Sequence, residues 1–512
     1  MKRIHLSAFL LAIATVTGSV GCGDDSSAGG ASGSGGKDGT GGKGGTSGTG
    51  GKAGTGGKDG SGGKDGSDGG GIGGDDGGGV DAGTATNCPA IKDRKETLIK
   101  AEIDADTTWS CDNLYILTDL IFVTKDSTLT VEAGTVIQGD SGSALLISRG
   151  SKLITEGTAK APVVFTSSAD EGKRTPGDWG GVVLLGKAPI NITAGENRIE
   201  GIDPTDDRGL YGGTDAKHNC GSVMYTRVEF AGFALSIDNE LNGLTIGGCG
   251  SATTISHVQV HKGFDDGIEI FGGSPMLDHI LLTANEDDQF DTDLGFVGKV
   301  QFIAIQLDQN SINSTDPQGF EWDNQKENND ATPRNQPTIY NATLVGPNDA
   351  TGTQNGLILR RGTAGVLHNL IVTGFPAAAL DVRDAATVAG TSKKPPVLTI
   401  DNSLFFENGA GGTVHFPVEP TDGSADDDDT GFVEDDFFTD AARKNVFDKD
   451  PKLGDAFSLT APDFVPAKTS PAATGGATPP DDGFFDKTAT YMGAFEPGGE
   501  DWTAGWTTFA QD

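Results

Sequence analysis

The chain is expected to be all-β, a right-handed parallel β-helix following a signal peptide and a disordered glycine-rich tether. Three observations predict this. Two consecutive segments repeat with a gapless offset of 22 residues, SHVQVHKGFDDGIEIFGG from Ser256 and DHILLTANEDDQFDTDLG from Asp278. Each unit alternates apolar and polar residues over short runs separated by Gly, Asn and Asp, a strand-and-turn pattern. Helical periodicity is nearly absent, and only 35% of the 512 residues are hydrophobic, which suits a thin, extended core.

The repeat aligns His257 with His279, Val258 with Ile280, Val260 with Leu282, Ile268 with Phe290 and Glu269 with Asp291. Two or three short strands per repeat of just over twenty residues make one coil, stacked on the next at about 4.8 Å. Val258, Val260, Ile268 and Ile270 are therefore expected inside. A propeller blade needs a longer repeat. Related segments begin at Val223, Asn242, Gly319, Asn355 and Ala379, and Trp109 to Gly139 reads as strands entering the first coils.

The predicted organisation is residues 1–21 as signal peptide, 22–86 as tether, 87–420 as β-helix, and 421–512 as an acidic loop plus the helix's C-terminal end. Lys2 and Arg3 precede an apolar run, Leu6 to Val16, that is too short for a comfortable membrane span. Ser19, Val20 and Gly21 before Cys22 resemble the lipobox of bacterial lipoproteins. That resemblance implies lipidation at Cys22, and Gly23 after it implies the outer membrane or cell surface. From Gly23 to Thr86 a drifting GGKDG repeat holds nine Asp and five Lys and cannot bury enough apolar surface to fold. Asp422 to Asp436 is strongly acidic and expected to be mobile.

The remaining cysteines are Cys88, Cys111, Cys220 and Cys249. In an exported chain they suggest two disulfides. Three connectivities are possible; proximity favours Cys88–Cys111 and Cys220–Cys249. A net charge of −36 excludes a basic nucleic-acid footprint and favours cations or cationic groups as ligands.

GDWGGVVLLGKAPIN from Gly177, NELNGLTIGG from Asn239, DDGIEIFGG and the closing WTAGWTTF from Trp502 resemble a group of bacterial secreted or lipoprotein β-helix proteins. More distantly, the chain is similar to pectate-lyase-like and polygalacturonase-like β-helices. The resemblance runs from about Cys111 to the C-terminus and implies fold and surface location more than reaction.

Alternation places Thr245, Glu269, Asp291, Glu321 and Asp381 in one outward column. Phe271, Asp293, Asp323, Arg360 and Arg383 form the next. Stacked carboxylates repel, so the strip needs a cation, basic neighbours, raised pKa values or open solvent. Calcium is the cofactor candidate, with Asp265, Asp266, Asp287 and Asp288 as turn ligands. Carboxyls on adjacent or alternate coils also fit the separations of glycoside hydrolases. Glu269, Asp291 and Glu321, with Arg360 and Arg361 as lyase bases, are the catalytic candidates. Against them stands the ordinary role of Asp and Asn in turns and of charge on an outer face. The polygalacturonase-like catalytic set is not matched. His257, His279 and His261 could hold a transition metal, or form a simple side-chain ladder. Trp179 could stack on a sugar, or serve as a packing plug. No nucleophile elbow, Walker loop or dinucleotide fingerprint is found.

The balance favours a lipid-anchored, non-catalytic surface protein that is glycan-binding, adhesive or structural. Its expected partners are the membrane and surface or extracellular polysaccharide, not nucleic acid. The alternative is a polysaccharide lyase or glycoside hydrolase using the carboxylate strip.

Overall fold

The computed structural model describes residues 88–236, 239–310, 317–349, 351–418 and 429–512. Cys22, the signal peptide, the tether and most of the acidic loop lie outside the described residues.

Each central coil contributes three strand segments and winds right-handed, as parallel crossovers do. Four-residue strands build the first face. Leu120–Val123, Ala144–Ile147, Val182–Leu185, Leu244–Gly247, Ile268–Phe271, Phe290–Asp293, Phe320–Asp323, Leu357–Arg360 and the shorter Asp381–Val382 pair in chain order. The second and third faces are the two halves of longer strands: Gly221–Glu229, Thr254–His261, Met276–Thr283, Lys299–Gln306, Thr338–Val345 and Gly365–Thr373. In the earlier coils these halves are separate strands: Lys152–Thr155 pairs with the first half of Gly221–Glu229, and Val163–Ser167 with the second.

One residue per coil makes the bend between the second and third faces. Tyr225, His257, His279, Phe302, Asn341 and Asn369 all have positive φ, and the ladder skips each of them. Asn tolerates this left-handed backbone. The aromatic members stack instead: Tyr225 on His257 at 4.2 Å, His257 on His279 at 4.2 Å, and His279 against Phe302 at 4.8 Å between centroids.

The 22-residue alignment is the true register. Val258 pairs with Ile280, Val260 with Leu282, Ile268 with Phe290 and Glu269 with Asp291. Inside, Leu244, Ile268, Phe290, Phe320 and Leu357 form one ladder, and Ile246, Ile270, Thr292, Trp322 and Leu359 the next. Nearly all of these side chains are fully buried, so each coil's apolar surface is covered by its neighbours.

Disulfides join Cys88 to Cys111 and Cys220 to Cys249. The C-terminal region departs from the expectation of a closing coil. After Val446–Phe447 no further strand forms, and residues 450–512 run back as a strap along the outside of the third face, the bend and the adjoining part of the second face. Leu281, Ala304 and Val345 on that face pack against Ala456, Phe464, Ala494 and Phe495 of the strap. The described end of the acidic segment is also ordered: Glu434–Phe438 is a short helix.

Candidate functional site

The carboxylate column forms as aligned. Thr245, Glu269, Asp291 and Glu321 are successive partners on the first face, with Ile358 and then Asp381 above. Its exposure does not match the expectation of a solvated strip. Glu269 is 3% and Asp291 1% exposed.

The reason is a segment that sequence periodicity left unassigned. Residues 186–219 leave the first face, form a hairpin between Glu196–Arg198 and Leu210–Gly212, and fold back over the sheet. Tyr211 lies against Gly247, where a Cβ would meet its ring at 2.8 Å. The same ring packs on Phe271 at 5.8 Å. Asn191 anchors the segment through its side-chain amide to the Asn324 carbonyl at 2.9 Å, and its backbone N–H reaches Leu294 O. Ile190, Ile199 and Ile202 complete an apolar cover with Val183, Leu185 and Leu294. A lone Tyr in a glycine-rich stretch carries no periodic signal, so the cover was illegible.

Beneath this cover, Asp266, Glu269 and Asp291 bring carboxylate oxygens within 4.8 Å of one another. Asn242 holds two of them: its amide donates to Glu269 Oε2 at 2.5 Å and its Oδ1 accepts the Asp266 N–H at 3.2 Å. Glu269 Oε1 and Asp291 Oδ1 are buried with no hydrogen-bond partner among the described residues. Burial first, and then Asp291, pushes Glu269 well above the ordinary carboxylate range. Burial and then Glu321 do the same to Asp291. Burial and then Asp265 raise Asp266.

Asp266 and Asp288 also have a backbone role. Asp266 accepts the Asp288 N–H at 3.0 Å, Asp288 accepts the Gln318 N–H at 2.5 Å, and Gln318 accepts the Asn355 N–H at 2.7 Å. This side-chain ladder caps the turns of successive coils. Asp265, Asp266 and Asp287 form a second, half-buried carboxylate group. Of the four predicted turn ligands, Asp266 alone belongs to both groups.

Farther along the face the charge is balanced. Arg360 bridges Glu321 and Asp323, Arg361 reaches Asp323, and Arg383 pairs with Asp381 at 2.9 Å. Arg360 and Arg361 thus act as counter-ions, not as the free bases a lyase reading required. Burial raises Glu321, while Arg360 opposes that shift.

Two other candidates are corrected. Trp179 is fully buried, packs on Phe165 at 6.5 Å and donates to Glu229 O at 2.9 Å, so no sugar can reach its face. His257 and His279 stack with ring planes 10° apart. With Asp278 they bring possible ligand atoms within 4.8 Å of one another, but stacked rings are poorly aimed at an ion lying in both ring planes. Their Nδ1 atoms are engaged by Ser256 and Asp278, and His261 is held by Thr283 and the Ala510 carbonyl. Trp502 and Trp506 close this ladder from the strap, at 5.2 Å from His279 and 6.0 Å from His257.

An open pocket of about 570 Å³ beside the cover is lined by Arg149, Lys187, Arg208, Glu196 and Asp207 among others. Arg149 pairs with Glu196, Arg208 with Asp206, and Lys187 with Asp126.

With coils, faces and site in place, the relationship is clear: a family model for the pectate-lyase-like β-helix domain matches residues 101–416. The chain belongs to this family. The match includes the first face, its cover and both disulfide-bonded Cys220 and Cys249, and it ends before the strap. The membership is carbohydrate-related at the level of the fold family and carries no assigned reaction. No curated protein and no solved structure matches the chain.

Proposed function

We propose that the protein is a lipid-anchored surface β-helix that binds or displays carbohydrate without cleaving it. The observation that carries this reading is the burial of Glu269 and Asp291 under residues 186–219. A polysaccharide lyase or hydrolase needs carboxylates converging in a cleft open to a polymer. Here the closest carboxylates are enclosed, and Glu321, the next along the face, is tied to Arg360. Cys22 would carry the lipid, residues 22–86 would act as spacer, and the outer membrane or cell surface would be its location. With a net charge of −36, a neutral or amine-bearing polysaccharide suits the chain better than an acidic one.

Two measurements test this. A Cys22→Ser variant should move from the membrane fraction to the soluble fraction. The purified protein, incubated with a panel of insoluble polysaccharides, should be retained on at least one and release neither reducing ends nor unsaturated sugars. Product formation abolished by Glu321→Gln would overturn the reading in favour of a carbohydrate-active enzyme, the alternative that family membership keeps in view.

A further inference from the structure

We propose that His257, His261 and His279 form a pH-sensitive latch for the C-terminal end of the strap: residues 500–512 dock while these rings are neutral and lift away once they are charged. Nothing in this device depends on whether the protein binds carbohydrate.

The three histidines meet the strap at one place. Trp502 makes a T-shaped contact with His279 at 5.2 Å, Trp506 with His257 at 6.0 Å and Phe509 with His261 at 6.3 Å. His261 is 1% exposed, and its Nε2 lies 2.7 Å from the Ala510 carbonyl. A carbonyl only accepts, so Nε2 carries the proton, and Nδ1 accepts from the Thr283 hydroxyl at 2.8 Å. Thr283 Oγ1 in turn accepts from the Gln259 amide at 3.4 Å. The neutral ring completes this network. Charging it places a second donor on Thr283 Oγ1 and removes the acceptor of the hydroxyl proton.

The stacked pair has one counter-charge for two rings. Asp278 Oδ1 accepts from Ser256 Oγ at 2.8 Å and from His279 Nδ1 at 2.7 Å. Ser256 Oγ, its proton given to Asp278, accepts from His257 Nδ1 at 2.9 Å. Asp278 can offset one imidazolium. A second, stacked at 4.2 Å, meets like charge on one side and the Tyr225 ring on the other. Around His261, Glu229 favours a charged ring and Lys262 opposes it. Both are already paired, with Arg227 and with Asp308. On the strap, Asp501 accepts from Thr503 and Asp512 from the Gly172 N–H. Burial pushes His257 and His261 down to about 4, and His279 adds to the effect on His257.

A histidine whose pKa is lower docked than free, where it is about 6.5, contributes to docking fully above that pH. The contribution is lost as pH falls towards 4. For the enclosed His261, each pH unit in this window lowers the ratio of docked to undocked strap by about tenfold. The preceding stretch is an internal contrast. Residues 477–491 are clasped through the uncharged amides of Gln301, Asn341 and Asn369. Asn341 and Asn369 hold the bend position that His257 and His279 hold in their own coils.

The test is fluorine-19 NMR of the full chain labelled with fluorotryptophan, its five signals assigned by single Trp→Phe variants. Between about pH 7 and pH 4, the Trp502 and Trp506 signals should move reversibly to solvent-exposed positions. Those of the buried Trp109, Trp179 and Trp322 should hold theirs. The variant His257→Asn/His261→Gln/His279→Asn should keep both strap signals docked at pH 4. Strap signals unmoved in wild type overturn the latch, as do five signals moving together or a variant that undocks at the wild-type pH. Should the variant be undocked already at pH 7, the imidazole titrations of wild type, followed by NMR, must share a midpoint with the strap signals. Separate midpoints overturn the proposal equally.

Discussion

Gln259 and Thr508, 249 residues apart, clasp each other: the Gln259 amide donates to Thr508 O at 2.6 Å, and Thr508 N–H donates to Gln259 Oε1 at 2.8 Å. The same two-bond clasp joins Gln301 to Asp486 and Asn369 to Ala477. Outward amides on the second and third faces and at the bend between them thus imitate a strand edge for a strap that has no strand of its own. Replacing Gln259 by Leu leaves a backbone donor and acceptor of Thr508 without partners and is expected to cost about 2 kcal/mol. Limited proteolysis should then cut within residues 500–512 earlier than in wild type, before the coils themselves are digested.

Asp323 is fully buried and accepts from both Arg360 and Arg361. Asp323→Asn keeps its size but removes the carboxylate that Arg360 and Arg361 share. Breaking a buried pair from one side is expected to cost about 3 kcal/mol. A lowered urea midpoint with an unchanged slope would record it, since the surface exposed on unfolding stays the same.

Glu434 supplies a pH dependence. Its Oε1 accepts the Val382 N–H at 3.2 Å while Oε2 is buried. Burial raises its pKa from 4.5 to about 8. A carboxyl whose folded pKa is raised stabilises in its neutral form, so its contribution is fully present below about pH 4.5. That contribution is lost as pH rises towards 8, by up to about 4 kcal/mol. Glu434→Gln cannot ionise, so its advantage over wild type should grow between pH 5 and 8. A difference in melting temperature that stays constant over that range would refute the assignment.

The Cys220–Cys249 bridge closes a separation of 29 residues beside the start of the covering segment. Chain-entropy reasoning assigns a loop of this size about 3.5 kcal/mol. Cys220→Ala/Cys249→Ala should therefore unfold at lower denaturant, and a reducing agent should shift wild type but leave this variant's remaining response to Cys88–Cys111 alone.

The coil register was legible in the sequence because a parallel β-helix stacks like on like. Ile268 over Phe290 and Glu269 over Asp291 are one spatial step apart, so a 22-residue offset in the text is also a contact in space. Alternation likewise set which residues face the core, and proximity in the chain matched both disulfides. What periodicity cannot carry is what lies on the outside of a face. Residues 186–219 and 450–512 have no repeat, and their docking depends on shape and on single long-range contacts: Tyr211 over Gly247, Thr508 on Gln259. The first of these coverings turned an outward column into a buried one. The same carboxylates that a sequence reading places in water are enclosed, and burial holds them well above the ordinary carboxylate range, because burial is a property of everything that comes to rest on a side chain and not of the strand that bears it.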